Sequence, residues 1–151
     1  MKPIALEWVA KAEGDFRSAR RERQVQSEPN SDPVCFLSQQ CAEKCLKGLL
    51  YELDIRFAKT HDLPALLALG VKTEPSLAAL RLSLEALNDY AVEFRYPGES
   101  ATLEEARIAF DNCQAARLLI RKLLGLDEPP SAQMKLRVKE RKARYRVRPQ
   151  K

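Results

Sequence analysis

Apolar residues recur every three or four positions along most of this chain, in segments separated by short runs rich in Pro, Gly, Ser and Asn. This spacing matches the 3.6-residue turn of an α-helix, whereas a half-buried strand alternates apolar and polar residues. Capping residues and helix breakers then predict helices over 3–24, from Ser31 or Asp32 to about Asp54, over 62–69, from Thr73 or Pro75 to before Pro97, and from Thr102 to before Gly125. These segments predict an all-α fold, an up-and-down four-helix bundle with one additional short helix.

The same periodicity predicts the core, because the apolar stripe of each helix must pack against a neighbour. The stripes comprise Ala5, Trp8, Val9, Ala12, Phe16 and Ala19, then Leu77, Leu80, Leu84, Leu87, Ala91 and Phe94, and finally Ala106, Ala109, Phe110, Cys113, Ala116 and Ile120. The second helix is apolar over more than half of its circumference, which predicts either a central position or an additional role in an oligomer interface. Three of the four cysteines lie on core faces and are predicted to be small buried hydrophobes. Neither the Cys nor the His spacing resembles a zinc site, so we predict no metal site.

The charge of the chain divides it into two parts. Residues 126–151 contain nine of the 26 Lys and Arg side chains and three of the 21 Asp and Glu side chains, so the net charge of +5 comes from this end. We therefore predict a nearly neutral helical domain over 1–125 and a basic, flexible tail over 126–151. No stretch approaches the roughly 20 apolar residues that span a bilayer, which predicts a cytoplasmic protein without a membrane contact.

Polar side chains interrupt the second helix at Gln40, Glu43, Lys44 and Lys47, which form one continuous row on a helix. The row is either a solvated face, stabilised by the i,i+4 pair of Glu43 and Lys47, or a surface that binds a ligand or partner. The chain has one histidine, His61, and histidine is the residue type suited to proton transfer near neutral pH. His61 either bonds locally to the backbone at a helix start or takes part in such chemistry.

Four segments occur in order along the chain: W8-x3-A12-x2-D15-F16-x2-A19, C35-F-L-S-Q-Q-C-A-E-K-C-L-K-G-L-L50, T60-H-D-L63 and Y90-x4-R95-Y-P97. Together they resemble a HEPN domain, a nucleotide-binding helical domain, over about residues 5–124. The resemblance implies a homodimer and a partner, a minimal nucleotidyltransferase, in a two-component system of the toxin-antitoxin type. It also implies a nucleotide-binding groove bordered by the polar row, in which we include Asp62 and Tyr96, with no other cofactor.

Many HEPN proteins are metal-independent ribonucleases with an Arg-x(4–6)-His motif, in which Arg stabilises phosphate charge and His moves protons. This sequence departs from that motif, because Ser100, Ala101 and Thr102 stand where His should follow Arg95. Arg56 and His61 have the spacing but lie in a different part of the chain. We therefore expect a nucleotide-binding partner protein rather than an enzyme. The alternatives are an endoribonuclease that uses His61 with Arg56 or Arg95, and an RNA-binding helical oligomer that uses its basic tail.

Overall fold

The computed structural model describes residues 1–92 and 96–126, and all of the regular structure there is helical. Five α-helices follow one another as α1 (Pro3–Arg23), α2 (Ser31–Glu52), α3 (Leu63–Val71), α4 (Arg81–Leu87) and α5 (Leu103–Leu123). Two 3-10 helices, Pro75–Leu80 and Asn88–Ala91, flank α4. The predicted all-α class is therefore confirmed. None of the described helices is long and apolar enough to cross a bilayer.

Helix α2 lies at the centre of the bundle. It packs along α1 and α5, and it also contacts α3, α4 and the second 3-10 helix. Helices α1 and α2 are antiparallel, because Lys2 bonds to Glu52 at one end of the pair and Asp15 contacts Lys44 further along. The wide apolar surface of α2 is thus covered by partners on several sides, as its sequence predicted.

Local capping chemistry explains most helix ends. The side chain of Asp62 accepts a hydrogen bond from the Ala65 amide and so caps α3, and Thr102 with Glu105 forms the predicted capping box of α5. Gly125 adopts a φ of 68° just after α5, a conformation that glycine adopts at no steric cost. The predicted cap of α2 was wrong. Its N-cap is Asn30, whose side chain accepts from the Asp32 amide, so the helix already begins at Ser31.

The helix predicted between Thr73 and Pro97 is not a continuous α-helix. It consists of a 3-10 turn, the short α4 and a second 3-10 turn, and its regular structure ends at Ala91. Tighter 3-10 turns are common at helix ends, and they place residues three apart on the same side. The predicted stripe is accordingly buried at Leu77, Leu80, Leu84, Leu87 and Ala91, whereas Phe94 lies outside the described residues.

The predicted core positions of α1 and α5 are buried with one exception. Trp8, expected in the core, is partly exposed at the edge of α1. The three cysteines predicted on core faces are buried, and so is the fourth; none of the four forms a disulfide. Two charged side chains of α5, Arg117 and Arg121, are also buried. The basic tail lies outside the described residues except for Leu126.

Candidate functional site

The polar row of α2 separates into an inner and an outer row. Gln39, Glu43 and Lys47 follow one another at four-residue steps and are all buried, with relative exposures of 0%, 3% and 7%. Gln40 and Lys44 lie beside them and are half-buried. The inner row lies on the side of α2 between its contact with α1 and the loop that leads into α3. Both α1 and this loop cover it.

Glu43 is at the centre of the inner row and accepts hydrogen bonds from three side chains. Lys47 Nζ lies 2.7 Å from Oε1, Gln39 Nε2 lies 3.1 Å from Oε2, and His61 Nδ1 lies 3.1 and 3.0 Å from the two oxygens. Burial by itself acts to raise the pKa of Glu43, but the bonds from Lys47, His61 and Gln39 outweigh it and hold the pKa below its ordinary value. The carboxylate is therefore a fixed buried anion.

His61 covers this anion from the outside. Its side chain is 72% exposed, yet Nδ1 faces Glu43, whose side chain is only 4% exposed. Because a carboxylate accepts but cannot donate, Nδ1 must carry the proton, and the second ring nitrogen, Nε2, faces away from Glu43. Nε2 has no partner among the described residues. The backbone carbonyl of His61 also accepts a long, 3.4 Å bond from Gln39 Nε2, which ties the loop to α2.

The outer row is tied to its surroundings in a different way. Lys44 Nζ forms an ion pair of 2.5 Å with Asp15 of α1, and the two side chains are 22% and 18% exposed. Gln40 Nε2 donates to Gln39 Oε1 at 2.8 Å. Lys44 and Lys47 thus each already hold a carboxylate, and neither presents an unpaired charge to a ligand.

These contacts exclude one of the two interpretations of the row at Glu43 and Lys47, and the ligand-binding surface stays a prediction. A solvated face is wrong for them, because both side chains are buried beneath other parts of the chain. The sequence reasoning also missed Gln39, although its four-residue step to Glu43 and eight-residue step to Lys47 would have placed all three side chains on one line of the helix. Local backbone bonding is likewise not the role of the His61 ring, which bonds to Glu43.

Three of the remaining predicted site residues, Asp62, Arg56 and Tyr96, are described, and none of them bonds to Glu43. Asp62 is exposed and its carboxylate caps α3. Arg56 is exposed and lines a cavity of about 650 Å³ together with Lys2, Tyr51, Asp54, Ile55 and Phe57. Tyr96 is 71% exposed in the loop before α5. Arg95 lies outside the described residues, so its place in the site stays a prediction.

Two other clusters, one of cysteines and one of ion-paired side chains, lie in the interior of the bundle. Hydrogen bonding to Cys113, together with burial, raises the pKa of the Cys41 thiol well above its usual value, which disfavours a nucleophilic thiolate. Glu13 of α1 holds Arg117 through two bonds of 2.8 and 2.7 Å and Arg121 through one of 3.0 Å, which joins α1 to α5. No group of three or more His, Cys, Asp or Glu side chains in 1–92 and 96–126 is arranged to hold a metal ion.

A comparison with protein families identifies the family of this chain. The model of the HEPN domain matches residues 5–123, which is most of the chain. This chain belongs to the HEPN domain family. The crystal structure of an archaeal HEPN homologue, ST0689, is similar to it, with a TM-score of 0.64 and 26% identity, over 82% of this chain and 98% of that chain. No curated protein matches the sequence significantly.

The inner row and His61 come from two segments within the residues that the family model matches. In this HEPN domain the segment Q39-Q-C-A-E43-K-C-L-K47 and the segment T60-H-D-L63, far apart in the sequence, meet at Glu43 and His61. The helix supplies a rigid, buried carboxylate, and the loop supplies an exposed imidazole. This is the arrangement by which proteins fix the orientation of a histidine while its other nitrogen faces solvent.

Proposed function

We propose that this HEPN domain binds a nucleotide through its phosphate groups at His61. The observation that carries the proposal is the bond of His61 Nδ1 to buried Glu43, at 3.0 Å, in a ring that is 72% exposed and has Nε2 on the side away from Glu43. An imidazole held in this way loses little rotational freedom when it binds, so more of the interaction energy appears as affinity. When protonated, Nε2 donates a charge-assisted hydrogen bond to a phosphate oxygen.

The neighbouring lysines support this site indirectly. Lys47 pairs with the carboxylate of Glu43, and Lys44 pairs with that of Asp15. Because both carboxylates are paired with an ammonium group, their repulsion of an incoming anion is reduced. The direct contact then falls to His61, and Arg95 is the arginine predicted to hold further phosphate oxygens as a bidentate donor.

Calorimetric titration with ATP and with GTP tests the proposal. We expect binding to the wild type and a loss of about ten- to a hundredfold in His61→Ala, because hydrogen bonds to charged groups contribute roughly 1.5–3 kcal/mol. Lys72→Ala is the matched control, since it removes an exposed cation beyond the far end of α3. Absence of binding to the folded wild type, or equal losses in both variants, would contradict the proposal.

The proposal extends to a partner. We propose that the HEPN domain acts as a homodimer and assembles with a minimal nucleotidyltransferase in a two-component system of the toxin-antitoxin type, and family membership is the support. Sedimentation of the purified chain tests the dimer. Co-expression with a candidate transferase, followed by co-purification through a tag on one chain, tests the partner. A monomer, or two chains that separate on the column, would contradict the respective statement.

Metal-independent cleavage of RNA is the second candidate function, and the orientation of His61 also favours it. Neutral Nε2 can take the proton from a ribose 2′-hydroxyl while that oxygen attacks the adjacent phosphorus. The bond from phosphorus to the 5′-oxygen breaks, that oxygen takes a proton from water, and the products are a 2′,3′-cyclic phosphate and a 5′-hydroxyl. RNA is incubated with wild type, His61→Ala and Lys72→Ala in the presence of EDTA. Cleavage that only His61→Ala abolishes supports an enzyme. No cleavage by the wild type, with nucleotide binding intact, excludes this candidate and leaves the first.

A further inference from the structure

We infer that Trp8 is the platform on which the base of the bound nucleotide stacks, so that the ligand is a nucleoside phosphate and not phosphate alone. The inference rests on the proposed function, because it adds a second contact to the site at His61. Trp8 lies next to the polar network. Neither the fold nor the proposed phosphate contact requires its side chain to be exposed.

The exposure of Trp8 is the first observation. It lies on the apolar stripe of α1, where every other predicted core residue is buried, yet part of its ring remains accessible. It lines a cavity of about 200 Å³ together with Ile4, Glu7 and Lys11. Pockets that enclose whole drug-sized ligands occupy about 300–1,000 Å³. This cavity is therefore suited to part of a ligand, such as one flat ring system.

The connection from Trp8 to His61 is the second observation. Lys47 Nζ lies 5.6 Å from the centre of the Trp8 ring and 2.7 Å from Glu43 Oε1, which lies 3.1 Å from His61 Nδ1. These three steps place the centre of the indole ring and His61 Nδ1 no more than about 11 Å apart. A mononucleotide has its base and its phosphate groups separated on this length scale. This distance is short enough for one nucleotide to contact both side chains.

The chemistry of the cavity agrees with a nucleobase. The buried ammonium of Lys47 lies 5.6 Å from the centre of the indole ring, a cation–π distance, and Trp8 also lines the cavity. Aromatic side chains bind bases by stacking, and this contact tolerates different bases. Glu7 and Lys11 at the rim supply an acceptor and a donor for base edges. Purines should bind more tightly than pyrimidines, because they stack with a larger area.

Fluorescence provides a direct assay, since Trp8 is the only tryptophan in the chain. Titration with ATP should change its emission with the same dissociation constant that calorimetry gives. Inorganic tripolyphosphate, which carries no base, should bind more weakly and leave the emission unchanged. Emission that stays constant while calorimetry shows saturation with ATP would overturn the inference and leave the proposed function standing.

Variants separate the base contact from the phosphate contact. Trp8→Leu should weaken ATP binding by about tenfold, as expected for one lost stacking contact, and leave tripolyphosphate binding unchanged. His61→Ala should weaken the binding of both ligands. Trp8→Phe keeps a smaller ring and should retain part of the affinity, which guards against a folding defect. Leu6→Ala, an exposed position on the opposite side of α1, is the control.

The outcomes are distinguishable. Wild-type affinity for ATP in Trp8→Leu, or an equal loss for ATP and tripolyphosphate in that variant, refutes the stacking contact only. Failure of the wild type to bind ATP, GTP and tripolyphosphate refutes the proposed function, and the inference with it.

Discussion

Replacement of Glu43 by Gln removes the carboxylate on which the candidate site depends, and its cost distinguishes a buried network from a surface pair. Exposed i,i+4 pairs stabilise a helix by about 0.3–0.5 kcal/mol. Breaking a buried pair costs about 3–5 kcal/mol, because the remaining charge has no partner. The side chains of Glu43 and Lys47 are 4% and 8% exposed, so the second figure applies. We expect Glu43→Gln to lower the free energy of unfolding by about 3–5 kcal/mol.

The partner variants follow from the contacts of each charge. Lys47→Met should cost less than Glu43→Gln, because Glu43 keeps its bonds to His61 and Gln39, whereas Lys47 has no second carboxylate among the described residues. The double variant should recover most of the loss, since replacing both charges of a buried pair by neutral groups is often neutral or stabilising. The two substitutions are therefore expected to be strongly non-additive.

Urea unfolding followed by circular dichroism measures these differences, with equal m-values as the check that only stability has changed. Asp111→Asn is the matched control, because Asp111 and Arg107 form an i,i+4 pair whose side chains are each 50% exposed. Its unfolding midpoint should hardly move. A loss below about 1 kcal/mol in Glu43→Gln would show that water reaches the pair. The argument for an oriented His61 would then fail.

Three further predictions follow from the other contacts. The pKa of Glu43 is lowered in the folded state, so its ionisation stabilises the fold at pH values above its ordinary pKa of 4.5. This contribution is lost as the pH falls through the lower folded pKa. The difference in stability between wild type and Glu43→Gln, measured by urea unfolding across the acidic range, should therefore shrink as the pH falls. Thr102→Ala removes half of the capping box with Glu105 and should cost about 1 kcal/mol in the same assay, whereas Thr102→Ser should cost much less. Glu13→Gln leaves the buried Arg117 without its carboxylate and should cost about 3 kcal/mol; an unchanged midpoint would mean that this ion pair does not stabilise the packing of α1 on α5.

Much of the fold followed from the sequence, because helix periodicity, capping residues and breakers act over only a few positions. The stripes of α1 and α5, the capping box at Thr102 and the central place of α2 are of this kind, and the structure confirmed them. Four segments together, among them 35–50 in α2 and 60–63 before α3, also indicated the HEPN family, which the family comparison confirmed. The division of the Thr73–Pro97 segment into 3-10 and α turns was not predictable, since both types place the same leucines on nearly one side.

The candidate site depended on packing between distant segments. Sequence periodicity placed Glu43 and Lys47 on a polar row, but burial of that row depends on what α1 and the loop before α3 cover, and no pattern within α2 contains this information. The contact between Glu43 and His61 joins residues 18 positions apart. The partial exposure of Trp8 likewise reflects where α1 meets α2. Helix period is a local property of the chain, whereas burial and side-chain contacts between segments are properties of the packed bundle.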